Sequence, residues 1–249
     1  MRSLPFVAVL TTSILVLVPG FAQSSIVSVI GPAAATGNFG MRVDLGATQA
    51  YVQDNSPNSE TVYYVQFSLN PSSVVNGGFD VFRAMSGGGD VVLAVEAVTG
   101  TGLQVRARLD DGNYQMLFTP LTPDWHIIEL DWKAATPGLF DGKLDWKVDG
   151  VAVPGLTTLD NDTGAIDFVR WGAMPLQATT SGFLDLDDFV STRTSPKARI
   201  FADPPPGAII FQDGFESGDT SAWSETFPPP ISVQRMPWGV VKALYSGWD

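Results

Sequence analysis

The chain has 249 residues, 45% of them hydrophobic, with 26 Asp and Glu against 14 Lys and Arg and no cysteine. That length and apolar content support a sizeable core, held in one large all-β domain or two ordinary ones. A formal charge of -12 repels phosphate backbones and anionic headgroups, so nucleic acid and membrane surfaces are set aside as partners, and the missing thiols exclude disulfides, thiolate catalysis and cysteine metal sites.

The first element is a leader. Arg2 precedes an apolar run from Leu4 to Val18, then Pro19-Gly20 and small residues around Ala22. Residues 1–24 are expected to be a secretory signal peptide, cut near Ala22 or Ser24. The run is shorter than the roughly 20 residues a spanning helix needs. The mature chain is therefore expected to be secreted or periplasmic, and monomeric.

From Ile26 to about Arg193, short runs rich in β-branched and aromatic residues alternate with Gly, Asn, Asp, Ser and Pro clusters. "TVYYVQFSL" puts Tyr63, Val65, Phe67 and Leu69 on one face, with Val62, Tyr64, Gln66 and Ser68 on the other. Further strands are read in "FDVFRAM", "VVLAVEAV", "GLQVRARL", "YQMLFTPL", "WHIIELDWK", "KLDWKVDG", "IDFVRWGA" and "GFLDLDDFVST". No sustained helical period occurs. Asp110-Asp111-Gly112-Asn113 and Asp149-Gly150 supply hairpin turns. Residues 25–195 are thus expected to form an antiparallel all-β sandwich. The extension, residues 196–249, holds two triple-proline runs around "FQDGFESGDTSAW" and is expected to be mostly irregular, either docked or free.

The block from Thr122 to Arg193, with its tryptophan-led strand, "WKVDG" hairpin, "IDFVRWG" strand and closing "GFLDLDDFV" strand, resembles concanavalin A-like (laminin G-like) jelly-roll domains of secreted bacterial proteins. "GNFGMRVDLG" and the segment from Ala50 resemble the opening strands of the same domain. "DGFESGDTSAW" is similar to a segment that commonly precedes such a jelly roll, whereas here it follows one. The resemblance is specific for the fold and weak for any activity.

Two enzymatic readings arise from the residues. Laminarinase-type hydrolases on this fold carry Glu-x-Asp-x-x-Glu, and "ELDWKA" offers Glu129 and Asp131 but Ala134 in the third place. Without the second glutamate there is no acid/base partner for a retaining reaction. A lyase would need a Tyr or His base, and the single histidine, His126, alternates onto the apolar face beside Ile128. A packed or hydrogen-bonded core histidine is expected.

Polysaccharide or another extracellular surface is the expected partner, bound without catalysis. The outward residues of the strand reading, expected to share one polar groove, are Tyr64, Gln66, Arg83, Arg106, Arg108, Gln115, Glu129, Asp131 and Arg170. A solvated face laced with ion pairs is the plainer alternative. Trp125, Trp132, Trp146 and Trp171 are read as core, and Trp223, Trp238 and Trp248 as tail. A structural calcium ion is the candidate cofactor, held between Asp187 or Asp188 of the closing strand and Glu216 of a docked extension, as the resemblance implies for related binding modules. "LDNDTGAID", with Asp160, Asn161, Asp162 and Asp167, is read as a polar turn rather than a calcium loop. The alternatives kept open are a polysaccharide-cleaving enzyme and a structural or adhesion protein.

Overall fold

A computed structural model describes residues 24–98, 102–176, 179–194 and 208–229. The expected leader, except Ser24, and the tail tryptophans Trp238 and Trp248 lie outside these residues.

Two antiparallel sheets face each other. The larger is ordered β1 (Ile26–Ile30), β2 (Gly40–Leu45), β13 (Gly182–Thr192), β4 (Val62–Asn70), β9 (His126–Lys133), β10 (Gly142–Val148) and β11 (Val151–Leu159), with β14 (Ile209–Asp213) also paired to β13. The smaller runs β15 (Glu225–Phe227), β3 (Ala50–Asp54), β12 (Phe168–Met174), β5 (Phe79–Met85), β6 (Val91–Val98), β7 (Gly102–Arg108) and β8 (Tyr114–Pro120). Late strands sit between early ones: β13 separates β2 from β4, and β12 separates β3 from β5. These crossings between layers make the sandwich a jelly roll.

Alternation decides which side of each strand is buried between the layers. Tyr63, Val65, Phe67 and Leu69 of β4 all point inward with 0% exposure, opposite Trp132, Leu130 and Ile128 of β9. Trp146 and Trp171 join the same core. The β10–β11 hairpin turns at Asp149 and Gly150, both at positive φ, as a two-residue primed turn requires. Asp149 then ties the turn to β9: its carboxylate accepts from Ile127 N at 2.8 Å and lies 2.8 Å from His126 Nδ1. His126 Nε2 is 3.0 Å from the Thr122 carbonyl oxygen. Held from both sides and 7% exposed, the ring is part of the scaffold.

The C-terminal segment, expected to be mostly irregular, contributes two strands, one to each sheet. β14 pairs with Phe189–Thr192 of β13, and β15 pairs with Tyr51–Gln53 of β3. Between them Phe215 and Trp223 enter the core, at 0% and 6% exposure. Trp223 stands 5.1 Å from Phe189, 5.9 Å from Trp171 and 4.6 Å from Phe211, centroid to centroid. Its Nε1 donates to Asp213 Oδ2 at 2.8 Å, so the indole is buried with its polar handle satisfied. "FQDGFESGDTSAW" is therefore a latch across the open end of the sandwich.

Candidate functional site

The nine residues expected to share a groove do not share a sheet. Tyr64, Gln66, Glu129 and Asp131 lie on the outer face of the larger sheet, whereas Arg83, Arg106, Arg108 and Arg170 lie on the outer face of the smaller. Gln115 faces neither. It pairs with Ala107, which pairs with Leu93, and both partners are core residues, so Gln115 points inward at the rim. The single groove is thus replaced by two opposed faces.

On the larger sheet, the Tyr64 hydroxyl donates to Glu129 Oε2 at 2.8 Å and Lys147 Nζ donates to the same oxygen at 2.9 Å. Asp131 is cross-strand to Asp145, whose carboxylate takes Lys143 Nζ at 2.7 Å. These groups border a depression of about 180 Å³. Burial, followed by the hydrogen bond to Glu129, raises the Tyr64 hydroxyl far above its ordinary value, so it stays protonated as a donor to Glu129. Glu129 is engaged by two donors and 7% exposed. The polar groups that border this depression are tied to one another by ion pairs.

The smaller sheet is different in kind. Its outward register forms one row across seven strands: Glu225, Gln53, Arg170, Arg83, Ala94, Arg106 and Met116. Asp80, 2% exposed, receives Arg83 Nε at 2.5 Å and Arg106 Nη2 at 2.6 Å, and Glu96 takes Arg106 Nη1 at 3.0 Å. Arg108 lies 3.7 Å from Asp90. Aromatic rings interleave: Arg106 sits 5.7 Å from the Tyr114 ring centroid, and Arg170 sits 4.7 and 5.4 Å from those of Tyr51 and Phe168. On the edge strand β8, Met116 and Phe118 are 50% and 47% exposed beside this row.

Tyr51, Gln53, Asp80, Glu96, Tyr114, Phe118 and Phe168 belong to this face and were not singled out from sequence. The signal for Tyr51 and Gln53 was their alternation in "AYVQD", a five-residue run with turn residues on both sides.

The third candidate, the junction of Asp187, Asp188 and Glu216, is assembled by the latch. Asp187 Oδ2 accepts from Ala35 N at 2.8 Å and Thr36 N at 3.1 Å, and Asp188 N donates to Asp187 Oδ1 at 2.7 Å. Asp188 accepts from Thr36 Oγ1 and Ser68 Oγ. Glu216 reaches back across the chain to Asn38 N, at 2.9 Å, and to Phe39 N and Asn38 Nδ2. Gly37 lies there at a φ of 67°, which favours glycine, and a Cβ in its place would displace the Glu216 carboxylate. Burial pushes the Asp187 carboxyl up to about 6; amide bonds from Thr36 oppose the rise and the charge of Asp188 adds to it. The lone pairs are turned onto N–H and O–H donors. Among the described residues no group of three or more His, Cys, Asp or Glu side chains is placed to hold a metal ion.

"LDNDTGAID" is a turn stitched into its surroundings. Asn161 Oδ1 accepts from Ala135 N, Asp110 accepts from Asp162 N and Thr163 N, and Asp167 accepts from Ser59 and Gly87. Asp160 contributes its carbonyl oxygen to Asp110 N.

Fold and faces together define an antiparallel jelly-roll β-sandwich. The cellulose-induced protein Cip1 is similar in structure, with a TM-score of 0.55 at 16% identity, over 72% of this chain and 91% of that one. An endo-β-1,4-glucuronan lyase from the fungus Trichoderma reesei aligns at a TM-score of 0.48 and 15% identity, over 78% and 94% of the two chains. The receptor-binding domain of botulinum neurotoxin type G aligns at 0.42 and 10%, over 68% and 41%. Identities this low speak to the fold alone. No protein-family model and no curated protein sequence matches the chain.

Proposed function

We propose that this chain is an exported, non-catalytic carbohydrate-binding sandwich that contacts glycan through the outer face of its smaller sheet. The observation that carries this reading is the mixture on that face: rigid guanidinium and amide groups in cross-strand register, bordered by the exposed side chains of Met116 and Phe118. Apolar surface for pyranose faces, with a few fixed donors for hydroxyls, is the chemistry of a sugar site. On the larger sheet the aromatic side chain, Tyr64, is 3% exposed and its hydroxyl is spent on Glu129. The fold, shared with a cellulose-induced protein, is compatible with this reading.

The test is binding of neutral and acidic oligosaccharides by calorimetry. Met116→Ala combined with Phe118→Ala is expected to weaken binding about 10-fold or more, at roughly 1–3 kcal/mol for lost stacking area. Tyr64→Phe, on the opposite sheet, is expected to leave binding unchanged. Loss of affinity in Tyr64→Phe with none in the double variant would move the site to the other face.

A further inference from the structure

Six arginines lie among the described residues, and five of them have a carboxylate partner: Arg42 with Asp185, Arg83 and Arg106 with Asp80, Arg108 with Asp90, and Arg193 with Glu60. Arg170 has none among the described residues. In a chain with 26 acids to 14 bases, an arginine left without one in the middle of a sheet calls for a reason.

Its surroundings fix the guanidinium without neutralising it. Nε donates to Gln53 Oε1 at 2.7 Å, and Gln53 is itself oriented by a bond from its Nε2 to Asn55 Oδ1 at 2.9 Å. The rings of Tyr51 and Phe168 stand at 4.7 and 5.4 Å, and Tyr51 is in turn stacked on Phe227 at 5.4 Å. Nε is thus committed to the amide, whereas Nη1 and Nη2 have no acceptor among the described residues. Two parallel N–H groups on a pre-oriented planar cation match a carboxylate in bidentate fashion. The neighbouring guanidinium of Arg83 is held by Asp80 and does not compete.

We propose that Arg170, positioned by Gln53 and flanked by Tyr51 and Phe168, is the subsite for the carboxylate of a uronic acid residue, so that the glycan bound by this face carries a uronate at that position. The inference rests on the carbohydrate-binding reading above and narrows it. Phe168, partly exposed, supplies apolar surface for the sugar ring that carries the carboxylate, Tyr51, 4% exposed, backs the guanidinium from within the sheet, and the ion pairs of Arg83 and Arg106 leave those arginines as hydrogen-bond donors to hydroxyls. Glu225, cross-strand to Gln53 and exposed, is the acidic residue on this row.

The experiment uses the full mature chain and hexamers of galacturonate, glucuronate and mannuronate, each beside its methyl ester, with a cello-oligosaccharide and a sulfated, uronate-free glycan as further arms. At least one free acid is expected to bind 10-fold or more tighter than its ester, with a preference that shrinks as salt is raised. Arg170→Gln is expected to abolish that preference while leaving binding of the ester in place, and Arg170→Lys, which keeps the charge and loses the fork, to restore only part of it. Equal binding of acid and ester, a preference that survives in Arg170→Gln, or binding confined to the sulfated glycan would each overturn the uronate subsite and leave the carbohydrate face standing. No binding to any glycan would overturn both. Melting temperatures of the two variants establish that they are folded, and Arg170→Lys carries the test if Arg170→Gln is not.

Discussion

Asp187 carries the clearest electrostatic tension among the described side chains. It is 1% exposed, satisfies two amides of the segment that follows the Gly31–Ala33 turn, and has Asp188 as its chain neighbour. A carboxyl raised to about 6 binds its proton more tightly folded than unfolded, where its pKa is near 4. The folded state therefore holds more protons between pH 4 and 6, and the contribution of this group to stability falls as pH rises through that window, then levels off. The effect is on the order of 1–3 kcal/mol. Thermal melts of wild type and Asp187→Asn from pH 3.5 to 7 check it: the wild type is expected to lose stability relative to the variant between pH 4 and 6. A difference that is flat, or of opposite slope, would show that Asp187 ionises without strain. Phe215 is a second residue under local stress. It adopts a left-handed φ of 56°, held by its N–H to Asp213 Oδ1 at 2.8 Å and by burial of its ring against Trp171. That conformation costs on the order of 1 kcal/mol, which the buried ring offsets.

At the scale of elements, the latch is the part whose removal should be felt most. Trp223→Ala is expected to cost about 3–5 kcal/mol, since it leaves a cavity bordered by Phe189, Trp171 and Phe211. Deleting everything after Arg193 removes that ring, Phe215, and two strands at once. The shortened chain is expected to melt at least 10 °C lower and to expose the β13 backbone that β14 covers, with aggregation as the observable result. An unchanged melting temperature would mean that the latch only rests on the sandwich. The strand β8 shows where sequence patterning misleads. In "YQMLFTP" the large side chains Tyr114, Met116 and Phe118 alternate, and hydrophobicity alone would send them inward. Register with β7 does the reverse, placing Gln115, Leu117 and Thr119 inside. β8 ends its sheet, so its inner side lies at the rim where Gln115 remains half-exposed and needs no buried partner.

For the whole molecule, alternation in the sequence was enough to establish an all-β sandwich, because inward faces such as Tyr63 to Leu69 repeat with period two and the turn chemistry at Asp149-Gly150 is local. Sheet membership was not legible. β4 and β9 belong to one layer, and β5, β7 and β12 to the other, a division fixed by pairings between residues more than a hundred apart, such as Arg170 with Gln53. Parity can tell which residues share a side of a strand, yet not which strands share a face. Arg83, Arg106 and Arg170 were therefore pooled with Tyr64 and Glu129, from which the full thickness of the sandwich separates them. The latch was equally hidden, since Glu216 meets Asn38 at a separation of 178 residues.

That separation has a consequence for how the molecule comes to be made. Most of the sandwich leaves the ribosome before Phe215 and Trp223 exist, so the aromatic gap around Trp171 and Phe189 stays open through most of synthesis. The latch joins the two layers through a single stretch of chain, with β14 on β13 and β15 on β3. A protein arranged this way cannot finish folding from its front end, whatever the stability of its finished state. Its near-ultraviolet dichroism should therefore reach the native value only once the latch is present, and adding a separate 208–229 peptide to the shortened chain should recover part of it.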